Sequence, residues 1–285
     1  MIILDTQLPY ATATKAVEAL AVTVQILLKD IPHELALPHS GRLYKKAAAK
    51  RAACLSALKK AASQEIFKAS TAVTTACHSG WERDKQILSL WYQVANTVLY
   101  LSEHPSKKVA TLIIDTEGKL QAFDANHVPD GIPKYGRHYI EGKRNQYIVC
   151  SERTALARLL NMQTDSRDIP YSNSTEKERG RRRDPILQPV DIKASILQQT
   201  KDLTDFGQNS EILRNSFILT TTSPCEICAN VIAPFRPMGI IAMKGTDAEF
   251  RQGRQDSIIR AAELLERVTQ MIYVPQPTWA SPAVA

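Results

Sequence analysis

Two short runs in this 285-residue chain carry side chains that can do chemistry. One is Cys150-Ser151-Glu152-Arg153-Thr154-Ala155; the other is Pro224-Cys225-Glu226-Ile227-Cys228. Each stands where a loop or strand gives way to a helix, and the free N–H groups and dipole of a helix start stabilise a thiolate. Three thiolates can hold a zinc ion and leave a fourth position for water, the layout of a catalytic rather than a closed structural site. The ion lowers the pKa of that water toward neutrality. Glu152, two residues beyond the first candidate ligand, can take the water's proton and pass it to a substrate nitrogen. The alternative is a structural zinc site, or three unrelated buried cysteines. A glutamate at this offset and a proline before C-x-x-C argue against both.

Cysteine usage agrees with this chemistry. The chain has five cysteines, an odd number, and Cys225 and Cys228 form a C-x-x-C. In an intracellular chain that spacing points to metal or redox chemistry more than to a structural disulfide. Cys54 and Cys77 fall in alanine-rich stretches and read as small packed hydrophobes. The opening MIILDTQLPY carries an acid and no basic n-region, which speaks against a signal peptide. No run of about 18 apolar residues is read as a membrane span. A cytoplasmic protein without membrane contact is therefore expected. A hydrophobic content of 44% is ample for a packed core, and 23% charge is ordinary for a globular chain. The net charge of +7 favours anionic partners such as nucleotides or nucleic acid.

The elements that position these residues change character near Pro105. Before it, the spacing predicts helices over Thr14–Lys29, Leu43–Ala62 and Trp81–Glu103, with Trp91 and Tyr92 in the core. After it, Val109–Ile114 and Leu120–Phe123 read as a hairpin about the turn Thr116-Glu117-Gly118. A helix follows over Ile148–Leu160. Residues 164–215, with Glu176-Lys177-Glu178-Arg179-Gly180-Arg181-Arg182-Arg183-Asp184, read as a polar insertion holding one short helix near Ile192–Leu203. Strands are then expected at Ser216–Thr221, Gly239–Met243 and Met271–Val274, with a helix at Ser257–Thr269. That helix makes the last two strands parallel.

The ligand-x-Glu pair followed by P-C-x-x-C resembles the zinc deaminases, in which the glutamate is not a ligand. The run C-S-E-R-T-A-L-A further resembles the cytidine deaminases, whose signature reads C-A-E-R before a small, apolar stretch. The resemblance spans Lys107 to Val274. It implies a three-layer α-β-α fold with a five-stranded mixed sheet, preceded by an all-helical N-terminal region. The domains would be a helical region over 1–80, a deaminase-like domain over 81–275 that includes the insertion, and a loose tail over 276–285. The implied activity is zinc-dependent hydrolysis of a cytosine base to uracil with release of ammonia, on a nucleoside or nucleotide. The cofactor would be Zn2+ on Cys150, Cys225 and Cys228, with Glu152 as the catalytic proton carrier. Arg153 would temper the charge of the thiolates, and Asn126 would bind substrate. The family glutamate two residues after that asparagine falls at Val128, so a ribose contact is missing or replaced.

Two departures widen the choice of substrate. The long gap between Glu152 and Pro224 and the parallel last strand resemble the deoxycytidylate, tRNA and nucleic-acid-editing branches. A cysteine as first ligand points to the free-nucleoside branch. One alternative is thus a polynucleotide cytosine or adenine deaminase that holds single strands through Lys45, Lys46, Lys50 and Arg51 and through Arg181, Arg182 and Arg183. Both basic clusters also read as solvated surface. A second alternative is an inactive binding module on the same fold, which an intact Glu152 argues against. Homo-oligomerisation is left open. Asn126 also reads as a turn residue, Arg153 as a surface arginine, and His127 and His138 as solvated loop histidines.

Overall fold

Strand β1 (Ala110–Asp115) alternates two apolar faces, so it must lie inside a sheet covered on both sides. Ala110, Leu112 and Ile114 face one core, while Ile113 faces another. The computed structural model describes residues 8–29, 42–77, 84–104, 107–127, 148–160, 207–243 and 255–274. Within these, β1 joins β2 (Leu120–Ala125), β3 (Ser216–Thr220), β4 (Gly239–Met243) and β5 (Gln270–Val274) in one sheet of order β2-β1-β3-β4-β5. β1 runs antiparallel to β2 and to β3, and β3, β4 and β5 run parallel to one another. The sheet is mixed, as the resemblance implies.

The hairpin closes on Gly118, whose φ of 74° is left-handed. Asp115 braces the turn, its Oδ1 accepting the backbone N–H groups of Glu117 and Lys119. The parallel pairs follow from crossover helices, since a strand that returns in the same direction needs a connection long enough to pass over the sheet.

Helices cover both faces. α1 (Leu8–Lys29), α2 (Arg42–Cys77) and α3 (Asp84–Val98) share one core with Leu112, Ile114, Phe123 and Leu219. α4 (Ser151–Leu159), α5 (Glu226–Ile232) and α6 (Gln255–Glu266) share the other with Ile113, Ile218 and Ile240. The architecture is three-layer α-β-α. Trp91 and Tyr92 are buried in the first core, as their spacing predicts.

Two sequence expectations change here. α2 runs fifteen residues past Ala62, because its apolar stripe continues through Ile66, Ala69, Val73 and Ala76. The hydroxyls of Ser70, Thr71 and Thr75 donate back to carbonyls three or four residues earlier, so these polar side chains are satisfied within the helix itself. The second change concerns the expectation that no stretch is apolar enough to span a membrane: by length and composition Pro9–Leu28 is. In the fold its Ala13, Val17, Leu20 and Val24 side is buried in the first core.

Candidate metal centre

The sheet topology brings both sequence runs to one place. The C-terminal end of β2 pairs with the start of β1, Ala125 opposite Ala110, and the C-terminal end of β3 meets the same point, Thr220 opposite Thr111. Beyond β2, His127 forms an antiparallel bridge with Val149, whose N–H donates to the His127 carbonyl at 3.0 Å. That bridge places the next residue, Cys150, at the sheet end. Beyond β3, Pro224 leads directly into Cys225. Cys150 is the N-cap of α4 and Cys225 the N-cap of α5, both in extended backbone.

The sulfurs of Cys150, Cys225 and Cys228 all lie within 4.8 Å of one another, and those of Cys225 and Cys228 are 3.5 Å apart. None forms a disulfide. Zinc–sulfur bonds of about 2.3 Å in a tetrahedral shell put ligand sulfurs roughly 3.8 Å apart, so the cluster is of a size that fits one such ion. Its protonation chemistry fits as well. Contact with the Cys150 and Cys228 thiols holds Cys225 below the usual thiol range. Contact with Cys225 pushes Cys150 up, and Cys228 is also raised, by contact with Cys150 and Cys225. Three crowded sulfurs resist becoming thiolates together; a divalent cation among them supplies the charge that allows it.

Glu152 sits in the first turn of α4 with 3% of its surface exposed. The Cys228 thiol donates to its Oε2 at 3.6 Å, and the Ser151 hydroxyl donates to the same oxygen at 3.4 Å. Burial pushes the Glu152 carboxyl up to about 7.

The remaining candidates lie in varied settings. Arg153 is exposed on the first turn of α4. Asn126 is buried, and its amide bonds to the protein itself. Its Oδ1 accepts the Ser102 hydroxyl at 2.6 Å and the Val109 N–H at 2.8 Å, and its Nδ2 donates to the Lys107 carbonyl at 2.8 Å. It braces the entry to β1. Lys45, Lys46, Lys50 and Arg51 lie on the backbone of α2, but their side chains fall outside the described residues, as do Arg181, Arg182, Arg183, His138 and Val128 altogether. The short helix expected at Ile192–Leu203 is outside them too; residues 207–214 at the end of the insertion are helical.

Two groups near the site escaped the sequence reading. His127 is not a solvated loop residue: its ring is 12% exposed and faces Asp124, whose Oδ1 is 3.4 Å from Nδ1, and Nδ1 lies 2.8 Å from the Ala125 carbonyl. Arg158 of α4 pairs with the other carboxylate oxygen of Asp124 at 2.8 Å. The second group is a set of buried hydroxyls, Thr111, Thr220 and Ser151. Their only trace in the sequence is a threonine inside the apolar run of β1.

No family model and no curated protein matches the chain. Among solved structures, it is similar to the dCMP deaminase of the cyanophage S-TIM5 in complex with dCMP and dUMP, at 14% identity and a TM-score of 0.40, over 66% of this chain and 97% of that one. The apo form of the same enzyme gives 14% identity and a TM-score of 0.38, over 66% of this chain and 98% of that one.

Proposed function

We propose that the protein is a zinc-dependent hydrolytic deaminase that converts the cytosine base of a nucleoside or nucleotide to uracil and ammonia. The observation that carries the reading is the convergence of three thiols within 4.8 Å of one another, with a buried carboxyl 3.6 Å from one of them. Cys150, Cys225 and Cys228 would hold the ion. Bound there, zinc supplies Lewis acidity and an activated water near neutral pH. Hydrolysis at the amidine carbon breaks the bond to the exocyclic nitrogen, removes a proton from water and delivers protons to substrate nitrogen. Glu152 is the group on hand for that transfer, and a carboxyl near neutrality both accepts and returns a proton. Its burial keeps competing water away from it. Three thiolates on one Zn2+ carry a net charge of −1, and we assign Arg153, one residue past Glu152, to offset it. Asn126 stays the candidate for a substrate contact through Nδ2, which has a second hydrogen beyond the one given to Lys107.

The test is a substrate panel. Purified, zinc-loaded protein is incubated with cytidine, dCMP, adenosine, single-stranded DNA and RNA, and ammonia and the deaminated base are measured. We expect turnover of cytidine or dCMP. The Glu152→Gln variant should retain one zinc per chain and lose about 10²–10⁴-fold in kcat, the usual contribution of a positioned general acid–base. Absence of product from every substrate, or near-normal turnover by the variant, overturns the reading. Product from a polynucleotide alone would move the substrate to that class.

A further inference from the structure

We propose that Ser151 is a positioning residue whose hydroxyl, held from behind by Thr111, fixes the Oε2 oxygen of Glu152 beside the three thiols. The proposal rests on the reading of Glu152 as the proton carrier. It starts from a misfit. The face of the sheet under α4 is lined by aliphatic side chains, Ile113 and Ile218 among them, yet Thr111 and its register partner Thr220 put hydroxyls on that same face. Thr111, Thr220 and Ser151 are each 0% exposed. A hydroxyl buried this deeply costs free energy unless it is hydrogen-bonded, so an alanine or valine would pack there more cheaply.

The bonds run toward the carboxylate. Thr111 Oγ1 lies 2.8 Å from Ser151 Oγ and 3.5 Å from Thr220 Oγ1. Ser151 Oγ donates to Glu152 Oε2 at 3.4 Å. A serine hydroxyl has one hydrogen. With that hydrogen on Glu152, the 2.8 Å bond is donated by Thr111, whose one hydrogen then goes to Ser151 in preference to the longer 3.5 Å contact with Thr220. Hydroxyls aligned in this way polarise one another and strengthen the last bond to a charged acceptor. Ser151 has no competing task as a helix cap. The N-cap of α4 is Cys150, and the Ser151 carbonyl, not its hydroxyl, accepts the bond from Thr154. The thread thus ties the carboxyl to β1, a strand paired on both sides within the sheet. Catalytic groups are held in this manner by a supporting shell, and loss of such support typically costs about 10–100-fold in activity.

The experiment uses the zinc-loaded full chain in three variants. Ser151→Ala should keep one zinc per chain and a KM within about threefold of the wild type, while kcat falls roughly 10–100-fold. Thr111→Val, which keeps the shape and removes a hydroxyl that touches neither metal nor substrate, should lower kcat in the same direction by a smaller factor. Thr111→Ser should restore it, which a purely structural role for the threonine would not produce. Crystal structures should show the Glu152 carboxyl displaced in Ser151→Ala and Thr111→Val and in place in Thr111→Ser. An unchanged kcat with an unmoved carboxyl in the first two variants overturns the proposal. If the wild type turns over no substrate, the deaminase reading fails by itself, and the carboxyl positions alone decide the relay: displaced supports it, unmoved sinks it.

Discussion

Two buried carboxyls lie on the α4 side of the sheet, and their surroundings give them different tasks. Asp124 is charge-matched, with Arg158 at 2.8 Å and His127 at 3.4 Å. Glu152 meets a thiol and a hydroxyl but no cation among the described side chains, and burial holds it near neutrality. The first is tied into an ion-pair cluster at the end of β2; the second faces the thiols. His127 carries a measurable consequence. Burial alone would lower its pKa, but the hydrogen bond and charge of Asp124 and the Ala125 carbonyl outweigh burial and the repulsion of Lys59, and the net shift is upward. A histidine whose folded pKa exceeds its unfolded value of about 6.5 adds stability that is full below that pH and is lost as pH rises through the folded pKa. The wild type should therefore lose melting temperature from pH 6 to pH 8 relative to a His127→Gln variant. Parallel melting curves for the two proteins across that range would refute the assignment.

At the scale of elements, the hairpin depends on a single backbone position. Gly118 holds a left-handed φ of 74°, and a Cβ there would stand 2.9 Å from Cys77 Sγ. Its carbonyl also accepts the Thr74 hydroxyl of α2 at 2.7 Å, so the turn is docked on a helix as well as bent. Gly118→Ala adds the left-handed penalty of about 1–2 kcal/mol to the cost of moving that sulfur. Urea unfolding should show a loss on the order of 2–3 kcal/mol, with zinc content unaffected because the turn lies at the end of the sheet away from the thiols. A loss under about 0.5 kcal/mol would mean that the turn relaxes freely.

At the scale of the whole molecule, the first three helices and the sheet share one core. Ala13, Val17, Leu20 and Val24 of α1 are buried at 0–3% exposure in a cluster that also contains strand residues Leu112, Phe123 and Leu219. The Lys59 ammonium of α2 pairs with Glu103, and the Glu103 N–H donates to the Asn126 carbonyl at 3.1 Å, so α2 is tied to the residue that follows β2. Burying Val17, Leu20 and Val24 is worth about 5–9 kcal/mol together, comparable to the net stability of a whole domain. Deletion of residues 1–41 should therefore abolish a cooperative thermal transition, or lower its midpoint by more than 10 °C. A truncated chain that melts like the wild type would show that α1 is an appendage.

Much of this was legible in the chain. Period and punctuation locate all five strands to within about two residues, because alternation and β-branching in Gly239–Met243 or Val109–Ile114 are local properties. The thiols and Glu152 could be singled out for the same reason: C-x-E and C-x-x-C each sit at the start of one helix, where spacing in sequence nearly equals spacing in space. The tertiary structure alone decided what depends on pairs distant in sequence. Asn126 is bonded to Ser102, Lys107 and Val109, and His127 is paired with Asp124. α2 runs on to Cys77 because α1, α3 and β2 provide a surface for its apolar side. Above all, Thr111, Ser151 and Thr220 become one thread only when β1 lies between β2 and β3 with α4 laid across it, for hydrogen-bond partners 40 and 109 residues apart leave no mark on local periodicity.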